Sequence, residues 1–140
     1  MNYTEATRGN SYQSLPKLDR SELSLLWYSD FWDGPKSGLL LLQGGKYWFQ
    51  MFEESQDPDL ADFYRRFLVV ELTEEQLSEE EQWHALFQEK VGRHTDYGLN
   101  RREELAKLRP RHIQEEFYSL YRERKPLDIN SNPVVGWFEN

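Results

Sequence analysis

Residues 38–53 read GLLLLQGGKYWFQMFE, and the way this stretch pairs with itself decides the fold. Two runs of strand formers flank Gly44-Gly45, a dipeptide that tolerates the positive φ required at both central positions of a type I′ turn. The spacing predicts a hairpin with Gly44-Gly45 as its two-residue turn, pairing residues 39–43 with 46–53. In the returning strand Tyr47, Phe49 and Met51 point to one face, and Trp48, Gln50 and Phe52 to the other. Both faces carry large apolar groups, so both need cover.

Outward from the hairpin, LSLLWYSDF (23–31) reads as a strand, and DGPKSG (33–38) supplies the turn residues that stop it. After the polar loop ESQDPD (54–59), FYRRFLVVEL (63–72) reads as a further sheet partner. PLDINSNP (126–133) is a loop, and VVGWFE (134–139) returns as a short edge strand.

Between these lie helix signals. Thr73 with Gln76, and Ser78 with Glu81, have capping-box spacing, and the second box is expected to open the main helix. Trp83, Leu86, Phe87 and Val91 then share a face, and Gly92 is placed to end it. Asn100 with Glu103 marks a short helix carrying Leu105 and Leu108. Pro110 introduces another, striped by Ile113, Phe117, Leu120 and Tyr121. The expected class is α+β: an antiparallel β-meander of three to five strands with two or three C-terminal helices packed on one face. Residues 1–20 lack periodicity and read as an N-terminal arm, disordered or laid over the body, with 21–140 as a single α+β domain.

Composition narrows the chemistry. The 140 residues include no cysteine, which excludes disulfides, thiolate zinc sites and a cysteine nucleophile and fits a reducing compartment. The formal charge of −8 works against binding nucleic-acid backbones or anionic lipid and favours a basic or neutral protein partner. Neither a signal-peptide core nor a membrane-length apolar run is present, and a cytoplasmic location is expected. Acids concentrate in residues 53–89, while residues 93–125 are mildly basic.

The pattern DFWDGPKSG, then GKYWF, then EEEQWHALFQ is similar to small bacterial proteins that share a WDGPxSG turn ahead of a hairpin and a Trp-containing helix. The similarity spans residues 25–95. It implies a bacterial origin and brings no established activity and no catalytic residue.

Two groups of side chains are candidate sites. At the aromatic turn, Trp27, Tyr28, Asp30, Trp32, Asp33 and Lys36 could form a shallow aromatic surface with carboxylates at its mouth, suited to a cationic or planar group. Turn chemistry and core packing account for the same residues without a ligand. An alternative polar site would use His84, His94 and Asp96. Their spacing has no metal-clamp pattern, and neither a metal nor another cofactor is expected. There is no nucleophile elbow or phosphate loop, and the Arg-Pro helix junction around Pro110 lacks the glycine of a helix-turn-helix. The expectation is a non-enzymatic cytoplasmic interaction module of the immunity, antitoxin, inhibitor or accessory-subunit type, using an acidic face and the aromatic turn. The alternative is a small-molecule-binding protein or weak hydrolase with a pocket at WDGPKSG.

Overall fold

The computed structural model describes residues 1–28, 35–55, 57, 59, 61, 63–92 and 108–140. They form an α+β protein whose chain divides into two compact units, residues 1–72 with 128–140, and residues 73–127.

The first unit is a five-stranded antiparallel sheet in the order β1 (Leu23–Tyr28), β2 (Ser37–Leu42), β3 (Gly45–Glu54), β4 (Arg65–Val70), β5 (Val134–Glu139). The hairpin forms, but its turn is Gln43-Gly44, one residue earlier than the expected Gly44-Gly45. Gln43 has φ 50° and Gly44 φ 80°, and Leu42 pairs with Gly45. A left-handed Gln costs about 1–2 kcal/mol, so packing elsewhere has to favour this register. Gly38 supplies the reason. In the observed register Gly38 faces Phe49 and Leu40 faces Tyr47. A Gly44-Gly45 turn would set Leu40 against Phe49 and Gly38 against Met51. A Cβ on Gly38 would overlap the Trp27 carbonyl oxygen and come within 3.0 Å of the Phe49 ring, so only glycine lets β1 and Phe49 close over this point.

Residues 23, 40, 42, 49, 67, 69 and 138 share one face and make a continuous core, with Phe67 and Phe138 stacked at 4.8 Å. Each fully buried side chain of this size contributes about 1.5–3 kcal/mol. The N-terminal arm lies on the same unit. It begins with α1 (Tyr3–Ala6), capped by Asn2 and Glu5 in a reciprocal box, and continues through 3-10 turns at Ser11–Ser14 and Arg20–Glu22. Between those turns, Lys17 bridges in parallel to Trp137 on the outer side of β5, with Leu18 N–H donating to Trp137 O at 2.7 Å and Trp137 N–H to Pro16 O at 3.1 Å.

That pairing dictates the sheet's curvature. A flat sheet would put the arm about 24 Å from β1, at about 4.8 Å per strand step. The five residues from Leu18 to Leu23 reach only about 18 Å when fully extended. The sheet therefore curls around the Phe49 core, aided by irregularities after Leu25, Met51 and Val69 of the kind that sharpen local twist.

The second unit contains α2 (Glu74–Lys90) and α3 (Arg111–Glu123), which stand in sequence between β4 and β5. The Thr73–Gln76 box caps α2: Gln76 N–H donates to Thr73 Oγ1 at 3.1 Å and Thr73 N–H to Gln76 Oε1 at 3.0 Å. Ser78, expected to open the helix, is inside it and accepts from Gln82 Nε2. Two boxes five residues apart compete, and the earlier wins because every residue added to a nucleated helix gains a backbone bond. At the other end Val91 and Gly92 N–H both donate to Phe87 O, with Gly92 at φ 121°. The Pro110 carbonyl accepts from Ile113 and Gln114 to start α3. Phe117 of α3 is buried, with Phe87 at 5.5 Å and Trp83 at 6.1 Å. The short helix expected from Asn100 to Leu108 falls on residues 100–107, outside the described residues, apart from Leu108. No described helix is long and apolar enough to cross a membrane.

Candidate interaction surface

Antiparallel alternation brings the loop from β3 to β4 and the close of β5 at Glu139 to one end of the sheet, while β1 runs toward that end but stops at Tyr28, level with Phe49 and five residues before Glu54. The described aromatic-turn residues lie along β1 and at the start of β2. Trp27 pairs with Leu39 and sits edge-on to Trp48 at 5.7 Å, half-buried. Tyr28 is also half-buried, but it packs against the Phe49 core on the other face. Alternation separates these neighbours across the sheet, and the shift in pairing between Leu25 and Trp27 puts Tyr28, rather than Trp27, on the core face with Leu25. Lys36 begins the return, its carbonyl accepting from Met51 N–H at 2.7 Å. Asp30, Trp32 and Asp33 lie outside the described residues, as do His94 and Asp96. His84 is on α2 in the second unit, stacked on Phe87 at 6.3 Å, and burial holds its pKa below the ordinary histidine value.

The β3–β4 loop is acidic. Asp57 and Asp59 are exposed, and Asp57 Oδ1 accepts from Asp59 N–H at 3.0 Å, a local turn that uses backbone rather than a basic side chain. Other members of the acidic stretch are engaged. Glu54 is 3.7 Å from Arg65, and Glu53 accepts from Arg66 at 2.7 Å. Glu80 is buried against Arg124 in the second unit, with bonds of 2.5 and 3.2 Å. The hydrogen bond that Arg124 donates to Glu80 raises the Arg124 pKa against the opposing effect of burial.

Arg66 organises the outer face beside this end. Its Nε donates to Glu139 at 2.9 Å and its Nη1 to Glu53 at 2.7 Å and to the Tyr12 hydroxyl at 2.8 Å, while the guanidinium lies 4.1 Å from the Tyr64 ring centroid. Burial alone would lower its pKa, but the bonds to Glu139 and Glu53 outweigh that and keep it cationic. Tyr12 is 1% exposed and sits edge-on to Phe52 at 4.8 Å and Trp137 at 5.0 Å. This four-residue cluster escaped sequence reasoning. One signal pointed to it: Arg66 shares strand parity with Leu68 and Val70, and a cation in an otherwise apolar row needs partners.

Chemically, the unit offers exposed carboxylates on the β3–β4 loop and, further back along the sheet, a half-buried tryptophan at Trp27. It can attract a cation or basic segment and supply flat apolar area. Among the described residues no three His, Cys, Asp or Glu side chains gather as a metal cage. No family model matches the chain, and no curated protein or solved structure matches it.

Proposed function

We propose that the protein is a non-enzymatic interaction module of the bacterial cytoplasm, of the immunity, antitoxin, inhibitor or accessory-subunit type, which binds a basic or neutral protein at the acidic end of its sheet unit. The observation that carries this reading is the uneven charge. The sheet unit holds 13 of the 25 acids but 7 of the 17 bases, so it accounts for six of the eight net negative charges. At its loop end Asp57 and Asp59 are exposed, whereas Trp27 lies level with Trp48, six residues back along β3 from Glu54. Clustered charge of one sign raises the encounter rate with a partner of the other sign. The charge on α2 supports the reading less, because Glu74 and Glu75 already serve the helix by sitting in its first turn.

The experiment is affinity purification from a bacterial lysate with quantitative mass spectrometry, comparing Asp57→Lys/Asp59→Lys with Glu74→Lys/Glu75→Lys. A specific partner should be lost about tenfold or more in the first variant, equivalent to about 1.4 kcal/mol, and retained in the second. Moderate salt should weaken its capture by the unmodified chain. A partner retained by the first variant and indifferent to salt would remove the acidic loop end from the proposal.

A further inference from the structure

The N-terminal arm meets the sheet unit in the manner of a bound peptide. It touches at three separate points. Near its start, Tyr3 and Thr4 N–H donate to Asn132 and Asn130 carbonyls at 3.0 and 3.1 Å. In the middle, Tyr12 fills the socket formed by Arg66, Glu53, Phe52 and Trp137. At the end, residues 16–18 add to β5 as a short parallel strand, with Leu18 placed over Gly136, where a Cβ would come within 2.9 Å of its Cγ. Between these points Thr7, Arg8, Gly9, Asn10, Gln13 and Ser14 are exposed. Strand addition with anchors at fixed intervals is a recognition mode that proteins also use between chains.

The connector from arm to β1 is slight. Residues 19–22 form one 3-10 turn, closed by Glu22 N–H to Asp19 O at 2.9 Å and by Ser21 N–H and Oγ to Asp19 Oδ1 at 3.0 and 2.9 Å, with Asp19, Ser21 and Glu22 exposed. Opening this turn would break those bonds and the two between Arg20 and Leu23, Arg20 Nη1 to Leu23 O at 3.0 Å and Leu23 N–H to Arg20 O, all of them local to the connector. All three anchor points would be recreated if the arm lay on another molecule, since the groove would see the same side chains in the same order. The intramolecular arrangement also carries a constraint the exchanged one lacks: a connector too short for a flat sheet obliges the sheet to stay curled.

We propose that the groove on β5 accepts the arm of a second copy of this chain, so that two molecules exchange residues 1–18 and form a two-fold dimer. The occupant is set by the contacts themselves, because the arm is the one segment shown to match this groove at every anchor. The proposal is independent of the acidic-end reading, and its test uses no other protein.

The chain has no cysteine, so an introduced pair reports on one contact alone. The variant Thr4→Cys/Asn130→Cys, unfolded and refolded over a series of rising protein concentrations and then oxidised, is run on a non-reducing gel. The expected result is a covalent species of twice the chain mass that increases with refolding concentration, and its absence at every concentration overturns the proposal. Because that variant could misfold, the unmodified protein is refolded in parallel and weighed by sedimentation and native mass spectrometry, with Tyr12→Ala beside it. A dimer that Tyr12→Ala returns to monomer supports exchange. A dimer indifferent to Tyr12→Ala, or a monomer throughout, rejects it.

Discussion

Glu80 and Arg124 face each other fork to fork, their side chains 5% and 8% exposed, with Trp83 and Tyr121 rings 5.5 and 5.0 Å from the guanidinium. A pair so little hydrated is expensive to break from one side, because the survivor keeps its charge without its partner. Glu80→Ala should lower stability by about 3–5 kcal/mol, read from urea midpoints. The double change Glu80→Leu/Arg124→Met should recover most of that loss. A single-variant cost under about 1 kcal/mol would assign the pair to the exposed class.

Tyr12 separates two contributions, its ring and its hydroxyl. Tyr12→Phe keeps the contacts with Phe52 and Trp137 but removes the acceptor of the Arg66 bond, and should cost about 1.5–3 kcal/mol. Tyr12→Ala should cost about 3–5 kcal/mol and make the arm sensitive to trypsin at Arg8. Digestion at unchanged rate would show that Tyr12 does not hold the arm.

His84 should give stability a pH dependence. Burial lowers its folded pKa, so the folded state prefers the neutral ring. The contribution is complete above the unfolded value of about 6.5 and is lost as pH falls through the lower folded value. An NMR titration of the His84 ring should give a midpoint below about 6.5. A midpoint above it would reverse the sign and overturn the assignment.

The hairpin turn predicts opposite effects at adjacent residues. Gln43→Asn places a residue that tolerates the left-handed region before Gly44 and should stabilise by about 0.5–1 kcal/mol. Gly44→Ala should destabilise by about 1 kcal/mol or more. A Cβ at Gly44 would meet nothing within 4 Å, so that cost would be one of backbone conformation alone. Thermal melting of both variants checks this; Gly44 has positive φ in either turn, so Gln43→Asn is the discriminating change, and a neutral or destabilising Gln43→Asn would argue for the later turn.

Local patterns made much of this fold legible. Runs of strand formers between turn signals located the five strands, Gly92 marked the end of α2 although its cap is Thr73 rather than the expected Ser78, and Pro110 marked the start of α3. The misplaced turn has a non-local cause: Gly44-Gly45 is the stronger dipeptide signal, but Gly38, six residues away, decides the register by admitting Phe49. The arm was harder to read because its anchors are isolated residues whose partners lie far along the chain; Tyr12 meets Arg66 and Glu53, 54 and 41 residues away. At the candidate surface, alternation along the strand assigns Trp27 and Tyr28 to opposite faces, but the irregularity after Leu25 decides which of them meets the core. Nothing in the spacing of LSLLWYSDF announces that shift.

One row across the sheet runs Gly38, Phe49, Val69, Gly136. Glycine stands at both ends, where β1 folds over one side and Leu18 over the other, and the two large side chains stand between. The flanks close at these two narrow places, leaving the paired stretch of β3 and β4 around Phe49 and Val69 enclosed on both sides. In terms of solvent exchange, the Phe49 and Val69 amides should be the last of this unit to take up deuterium, opening only with global unfolding, while amides of the arm and of β1 exchange through smaller local openings.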